Sequence, residues 1–125
     1  MNSTCHRNGF TVVELLVVIT IIVGLALITV FGIGSWRTRT ANTEVKAALA
    51  SATAALKDYK NFNDGYPTGS PPSLPTSFEA MPNATVTYLS GTTSTYCLRG
   101  TSTAITTVVW YVTQASTEPQ VAACT

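Results

Sequence analysis

The longest apolar stretch in the chain runs from Phe10 to Gly34 and contains a single charged residue, Glu14. As an α-helix it would extend roughly 37 Å at about 1.5 Å per residue, enough to cross the ~30 Å hydrocarbon core of a bilayer. Trp36 and Arg37, which follow it, are typical of the membrane interface. The pattern therefore predicts a membrane-spanning helix, because a soluble protein would have to bury this stretch on all sides. Basic residues flank it at both ends, so its orientation stays open.

A different pattern follows Arg39, where apolar residues recur at spacings of three and four. These spacings place them on one face of an amphipathic helix outside the membrane. The predicted face consists of Val45, Leu49, Ala52, Leu56 and Tyr59. One helix from Phe10 to about Asn61 would be roughly 78 Å long. The alternative is a membrane anchor and a separate helix, divided at Gly32 and Gly34, where each glycine weakens a helix by about 1 kcal/mol.

The remainder of the chain predicts a loop and then short antiparallel strands. Asp-Gly, Tyr-Pro and Pro-Pro pairs in residues 62–82 supply turn chemistry. The segments ATVTYLS, STYCLRG and AITTVVWYVTQ are rich in Thr, Val, Tyr and Trp, which favour strands. Val86 and Tyr88 alternate with threonines, whereas the run VVWYV around Val109 and Tyr111 blurs the alternation. QVAACT at the end is a candidate edge strand. The expected fold class is α+β, a long N-terminal helix packed on a small antiparallel β head.

Composition limits what the chain can do. Only 10% of the residues are charged and the formal net charge is +1, so electrostatic binding of nucleic acid is not supported. One histidine and six scattered carboxylates provide little material for a metal cluster or an acid/base pair. Asp58 and Asp64 are too few ligands for calcium. We therefore expect no enzymatic activity, no cofactor and no bound metal.

The sequence GFTVVELLVVITII joins several features in a fixed order near the initiator. A short polar leader ends in Gly9, Phe10 follows, and Glu14 is the fifth residue counted from Phe10. This arrangement resembles the class III signal of type IV prepilins. The resemblance implies that a membrane-embedded prepilin peptidase cuts after Gly9 and methylates the new α-amine of Phe10. A residue without Cβ at Gly9 would let a protease approach the backbone closely.

The resemblance also implies how the chain assembles. The cation at Phe10 of one helix would pair with Glu14 of an adjacent helix, which offsets the desolvation of both charges. The implied product is a homo-oligomeric helical filament of a type IV pilus. Its subunits would begin as single-pass precursors in the cytoplasmic membrane and reach the cell surface through a pilus assembly platform and its ATPase.

The cysteines support an exported head. Loss of the leader removes Cys5 and leaves Cys97 and Cys124 as an even pair. In an oxidising compartment a disulfide between them is the natural interpretation, with two buried free thiols as the alternative. A disulfide that pins the C-terminal segment also resembles many pilins.

The predicted organisation has five parts. They are a cleaved leader (1–9), an assembly helix (10–34), an amphipathic continuation (35–61), a loop (62–82) and a β head (83–125). Two other functions stay open: a pseudopilin of a type II secretion or DNA-uptake machine, and a membrane-anchored binding module that never polymerises.

Overall fold

The computed structural model describes residues 9–70, 72–116 and 118–124, with only the helical backbone of Phe31. Most of the predicted leader, including Cys5, lies outside the described residues. In chain order the elements are the helix α1 (Val12–Asn63) and the strands β1 (Ala84–Gly91), β2 (Tyr96–Ser102) and β3 (Val109–Thr113). The strands form one antiparallel sheet in the order β1-β2-β3.

The chain divides into two compact units at Trp36 and Arg37. The first unit contains the apolar beginning of α1, which no other described element covers. The second unit contains the rest of α1, the loop and the sheet. The predicted fold class is confirmed: the chain is α+β, with one long N-terminal helix packed on a small antiparallel sheet, an arrangement that resembles a pilin. Gly32 and Gly34 lie inside α1, so the helix is not divided there.

The amphipathic half of α1 supplies the core of the second unit. Val45, Leu49, Ala52 and Leu56 are each 0% exposed, which confirms the predicted apolar face, and Tyr59 is half-buried. From the sheet, this core receives Tyr88, Leu98 and Val112. Burying each such side chain contributes about 1.5–3 kcal/mol, so this interface is the main source of stability in the unit.

Gly100 lets the helix and the sheet approach each other closely. A Cβ added at Gly100 would lie 2.8 Å from Cγ1 of Val45 and 2.9 Å from Cγ of Leu49. Any larger residue at the centre of β2 would therefore force the core apart. A glycine inside a strand commonly marks such a close approach.

The helix ends in a turn that anchors the loop. The side-chain amide of Asn63 donates a 2.9 Å hydrogen bond to the carbonyl of Tyr59, and Asp64 adopts φ 60°. A left-handed residue directly after a helix is a common stop signal. The Tyr88 hydroxyl donates a 3.0 Å bond to the carbonyl of Pro67, which holds the loop against β1.

The structure resolves one ambiguity in the strand pattern and corrects one strand prediction. The residues of β3 that join or pack against the core are Trp110 and Val112, and Val108 directly before the strand is buried with them. Val109 and Tyr111 therefore lie on the other face of the sheet. The five residues of VVWYV are all apolar or aromatic, so the sequence alone does not show which of them face the core. The candidate edge strand QVAACT is reduced, among the described residues, to one bridge between Gln120 and Tyr111.

Candidate functional site

The beginning of α1 is capped by Thr11. The backbone N–H of Glu14 donates a 3.2 Å hydrogen bond to the Thr11 hydroxyl oxygen, and that hydroxyl lies 3.5 Å from Oε2 of Glu14 as a donor. This is a variant of the capping box, in which a threonine and a glutamate three residues later satisfy the free end of a helix. The spacing T-x-x-E before an apolar run signals this motif, so the role of Thr11 was predictable from the sequence although Thr11 is not among the predicted site residues.

Glu14 lies in the first turn of α1. The helix dipole places a partial positive charge there, which stabilises a carboxylate and destabilises a cation. An amine created at Phe10, just before the helix, would therefore need an added negative charge. The Glu14 side chain is exposed, so its carboxylate is accessible to another molecule.

The described residues around Gly9 do not require a glycine at this position. A Cβ added there would have nothing within 4 Å, and its φ lies outside the left-handed range. Phe10 is 79% exposed. A requirement for a small residue at Gly9 is therefore not set by the described part of the chain. The structure thus places both residues of the predicted cleavage site at an accessible position before the helix.

The apolar part of α1 is exposed along its whole length. Among the described residues, one helix is long and apolar enough to cross a membrane, and 0% of its most apolar window is buried. Large side chains are exposed on all faces, including Leu15, Ile22 and Val30. Hydrophobic surface of this extent in water would lead to association or membrane insertion.

Hydroxyl groups within this segment are satisfied by the helix. The Thr20 side chain donates a 2.8 Å hydrogen bond to the carbonyl of Val17, and Thr29 makes the equivalent 2.8 Å bond to Ala26. Such bonds to the preceding turn remove the cost of placing a hydroxyl in an apolar environment. Among the side chains of this segment, only Glu14 carries a charge.

In the second unit, a disulfide joins Cys97 of β2 to Cys124, with their Cα atoms 6.2 Å apart. This is the pairing favoured by the cysteine count. Backbone bonds between Tyr111 and Gln120, of 2.7 and 2.8 Å, hold the same segment against β3. The C-terminal segment is thus attached to the sheet at two points.

A tyrosine cluster lies beneath the loop. The rings of Tyr66 and Tyr96 meet edge to face with centroids 4.9 Å apart, a favourable geometry for aromatic pairs. Burial raises the pKa of the Tyr88 phenol, and its neighbours Tyr66 and Tyr96 raise it further. Burial also raises the pKa of Tyr96, and the neighbouring Tyr66 raises it further. These phenols are neutral packing groups.

Within the part of the chain that the structure describes, no three His, Cys, Asp or Glu residues are grouped to hold a metal ion. No family model matches the sequence, and no curated protein matches it. A long apolar N-terminal helix with a small β-sheet is compatible with a pilin-like protein.

Proposed function

We propose that this chain is the structural subunit of a type IV pilus or a related filament. One observation carries the proposal. The first half of α1 is exposed and apolar on every face, and its single charge, Glu14, lies in the capped first turn. A membrane anchor alone needs the apolar surface, and Thr11 can cap its helix without a carboxylate, which costs about 2.5–3.5 kcal/mol at the bilayer centre.

The sequence of events begins with proteolysis. A prepilin peptidase removes the leader after Gly9 and methylates the amine of Phe10. The chain then leaves the cytoplasmic membrane through an assembly platform driven by an ATPase. The protein is not an enzyme but the substrate of one, and it needs no cofactor.

Electrostatics gives Glu14 its role in assembly. In a water-poor bundle of helices, an α-ammonium at Phe10 is destabilised both by desolvation and by the dipole of its own helix. The carboxylate of a neighbouring Glu14 offsets both effects. Because the pair can form only when adjacent helices are displaced along their axes, it also fixes their register.

The C-terminal region favours a pilus subunit over a secretion or DNA-uptake pseudopilin. The segment that follows β3 is attached by the Cys97–Cys124 disulfide, and its described part carries one carboxylate, Glu118. A calcium-dependent fold of this segment would need more oxygen ligands than this.

The test is mass spectrometry of the mature N-terminus together with purification of surface filaments. We expect a chain that begins with N-methylated Phe10 and is the main component of the filaments. Gly9→Val should block cleavage, whereas Gly24→Val, at another glycine with open space around it, should not. An intact leader on the mature protein, or filaments without this chain, would contradict the proposal.

A further inference from the structure

The last turn of α1 carries an exposed aromatic side chain. Phe62 is 89% exposed, the highest value for any large hydrophobic side chain among the described residues. Asp58 lies one turn earlier, on the same side of the helix, and Asp64 follows the end of the helix. Both acids line the surface depression to which Phe62 also belongs. We call this feature, an exposed aromatic ring with two acidic residues lining the same depression, the Phe62 knob.

A groove with the opposite charge lies along the middle of the same unit. It has a cavity volume of about 400 Å³, and its apolar lining is Ala50 and Ala54 from α1 with Val112 and Pro119 beside them. The small alanine side chains leave room for a ring between the helix and the C-terminal segment. We call this feature the alanine groove.

Lysines mark the two ends of the alanine groove. Lys46 and Lys57 line it and are separated by three turns of α1, roughly 16 Å along the axis. Glu118 is the one acid among the described lining residues, which therefore have a formal charge of +1. Among the described residues, the lining of the depression at the Phe62 knob contains these two carboxylates and no lysine or arginine. The knob and the groove are therefore complementary in shape and in sign.

The two features cannot meet within one chain. Phe62 and the middle of the groove, near Ala52, are ten positions apart on one helix, or roughly 15 Å. A phenylalanine side chain does not reach that far. Complementary surfaces at different places on one molecule produce head-to-tail contacts, which build open helical filaments when the rotation does not close a ring.

We propose that Phe62 of one copy inserts into the alanine groove of the next, with Asp58 placed beside Lys57 of that groove. The proposal rests on the proposed function, because it assigns a contact between heads in a filament of identical subunits. The occupant is a second copy of this chain. An exposed aromatic residue that becomes buried in such a contact is the usual centre of an interface.

The first test is filament yield from cells that produce only the variant chain. Phe62→Ala should lower the yield at least tenfold, while chain level, cleavage after Gly9 and the Cys97–Cys124 disulfide remain as in the wild type. Val121→Ala is the matched control, because Val121 is 70% exposed but belongs to neither the knob nor the groove. Its yield should not change.

The second test exchanges the charges. Lys57→Glu and Asp58→Lys should each lower the yield, since each opposes a like charge across the contact. The double variant keeps the net charge and restores opposite signs, so it should recover most of the yield. Wild-type yield from Phe62→Ala, or no recovery in the double variant, overturns this contact but leaves the proposed function intact. Absence of filaments from the wild-type chain would overturn both.

Discussion

The indole Nε1 of Trp110 donates a 2.8 Å hydrogen bond to Oδ1 of Asn42, across 68 positions of sequence. The same ring lies under Lys46, whose Nζ is 4.0 Å from the ring centroid. One aromatic residue of β3 thus makes two polar contacts with α1, at the edge of the buried core. Because these contacts are directional, they fix the position of the strand along the helix, which apolar packing alone does not.

We expect Trp110→Phe to lower the free energy of unfolding by more than the loss of ring area alone, because Asn42 loses its donor. A hydrogen bond of this type contributes about 0.5–1.5 kcal/mol. The measurement is urea unfolding of the detergent-solubilised chain, followed by circular dichroism. Asn42→Ala should cost a similar amount. The double variant should cost less than the sum of the two, and strict additivity would show that the bond does not contribute.

The fit of Gly100 against Leu49 predicts a sharp contrast between two glycines. Gly100→Ala should destabilise the chain by about 1–3 kcal/mol, as overpacked cores do, because the new Cβ meets the helix. Gly32→Ala is the matched control: a Cβ there has nothing within 4 Å, and alanine favours a helix by about 1 kcal/mol over glycine. Urea unfolding of both variants checks this. Equal stability of Gly100→Ala and wild type would mean that the core can move apart freely.

The features of the fold that depend on periodicity and composition could be predicted from the sequence. The buried face of α1 followed from the spacing of Val45, Leu49 and Leu56. The helix was expected to end near Asn61. It ends at Asn63, because the turn begins with Asp64. The register of the strands could not be predicted, because the bulge between Tyr88 and Ser90 and the close approach at Gly100 depend on residues distant in sequence.

Only part of the candidate site could be predicted from the sequence, for a similar reason. Gly9, Phe10 and Glu14 follow from a motif of fixed order, which needs no tertiary information. Their roles in cleavage, methylation and assembly stay predictions. Thr11 could have been found from its spacing to Glu14. Phe62 and the alanine groove could not have been found from the sequence. The exposure of an aromatic residue at a helix end becomes evident only when the sheet is known to cover the opposite face of the helix.

The disulfide should stabilise the second unit of the chain. Replacing Cys97 and Cys124 by serine together removes a cross-link between positions 27 apart, which we expect to cost about 3 kcal/mol. The loss reflects the greater freedom of the unfolded chain. Urea midpoints of the wild type and the double variant test this. A non-reducing peptide map of the wild type should show the two cysteines joined, and alkylation of both without reductant would contradict the pairing.

The tyrosine cluster predicts a loss of stability at alkaline pH. Burial raises the pKa of Tyr88 and Tyr96 above the ordinary value near 10. At a pH between the ordinary pKa and the raised pKa values, the folded state binds more protons than the unfolded state. The free energy of unfolding therefore falls as pH increases through this range. Below about pH 10 the contribution is fully present.

Urea unfolding at about pH 8 and about pH 11 measures this change. In Tyr88→Phe the dependence on pH should be weaker, although the variant is less stable at both values because the bond to Pro67 is lost. A pH dependence identical to that of the wild type would assign the effect to other groups.

Glu14 has a role within its own helix and a proposed role between helices, and two variants separate them. Thr11→Ala removes the cap and should cost the helix end about 0.5–2 kcal/mol, while the carboxylate remains. Glu14→Val removes the charge and leaves a more apolar segment that still spans a membrane. We expect Thr11→Ala to give filaments, and Glu14→Val to give normal membrane levels and normal cleavage but few or no filaments.

The comparison is decisive because the two variants weaken the same turn by different means. If capping were the main role of Glu14, filament yield would fall in both variants in proportion to the lost helix stability. If the carboxylate neutralises the amine of Phe10 in a water-poor bundle, only its removal leaves a buried cation without a partner, a change that costs far more than a frayed turn. An anchored binding module would retain its activity in both variants. Wild-type filament yield from Glu14→Val, in cells without wild-type subunit, would show that the charge pair does not direct assembly.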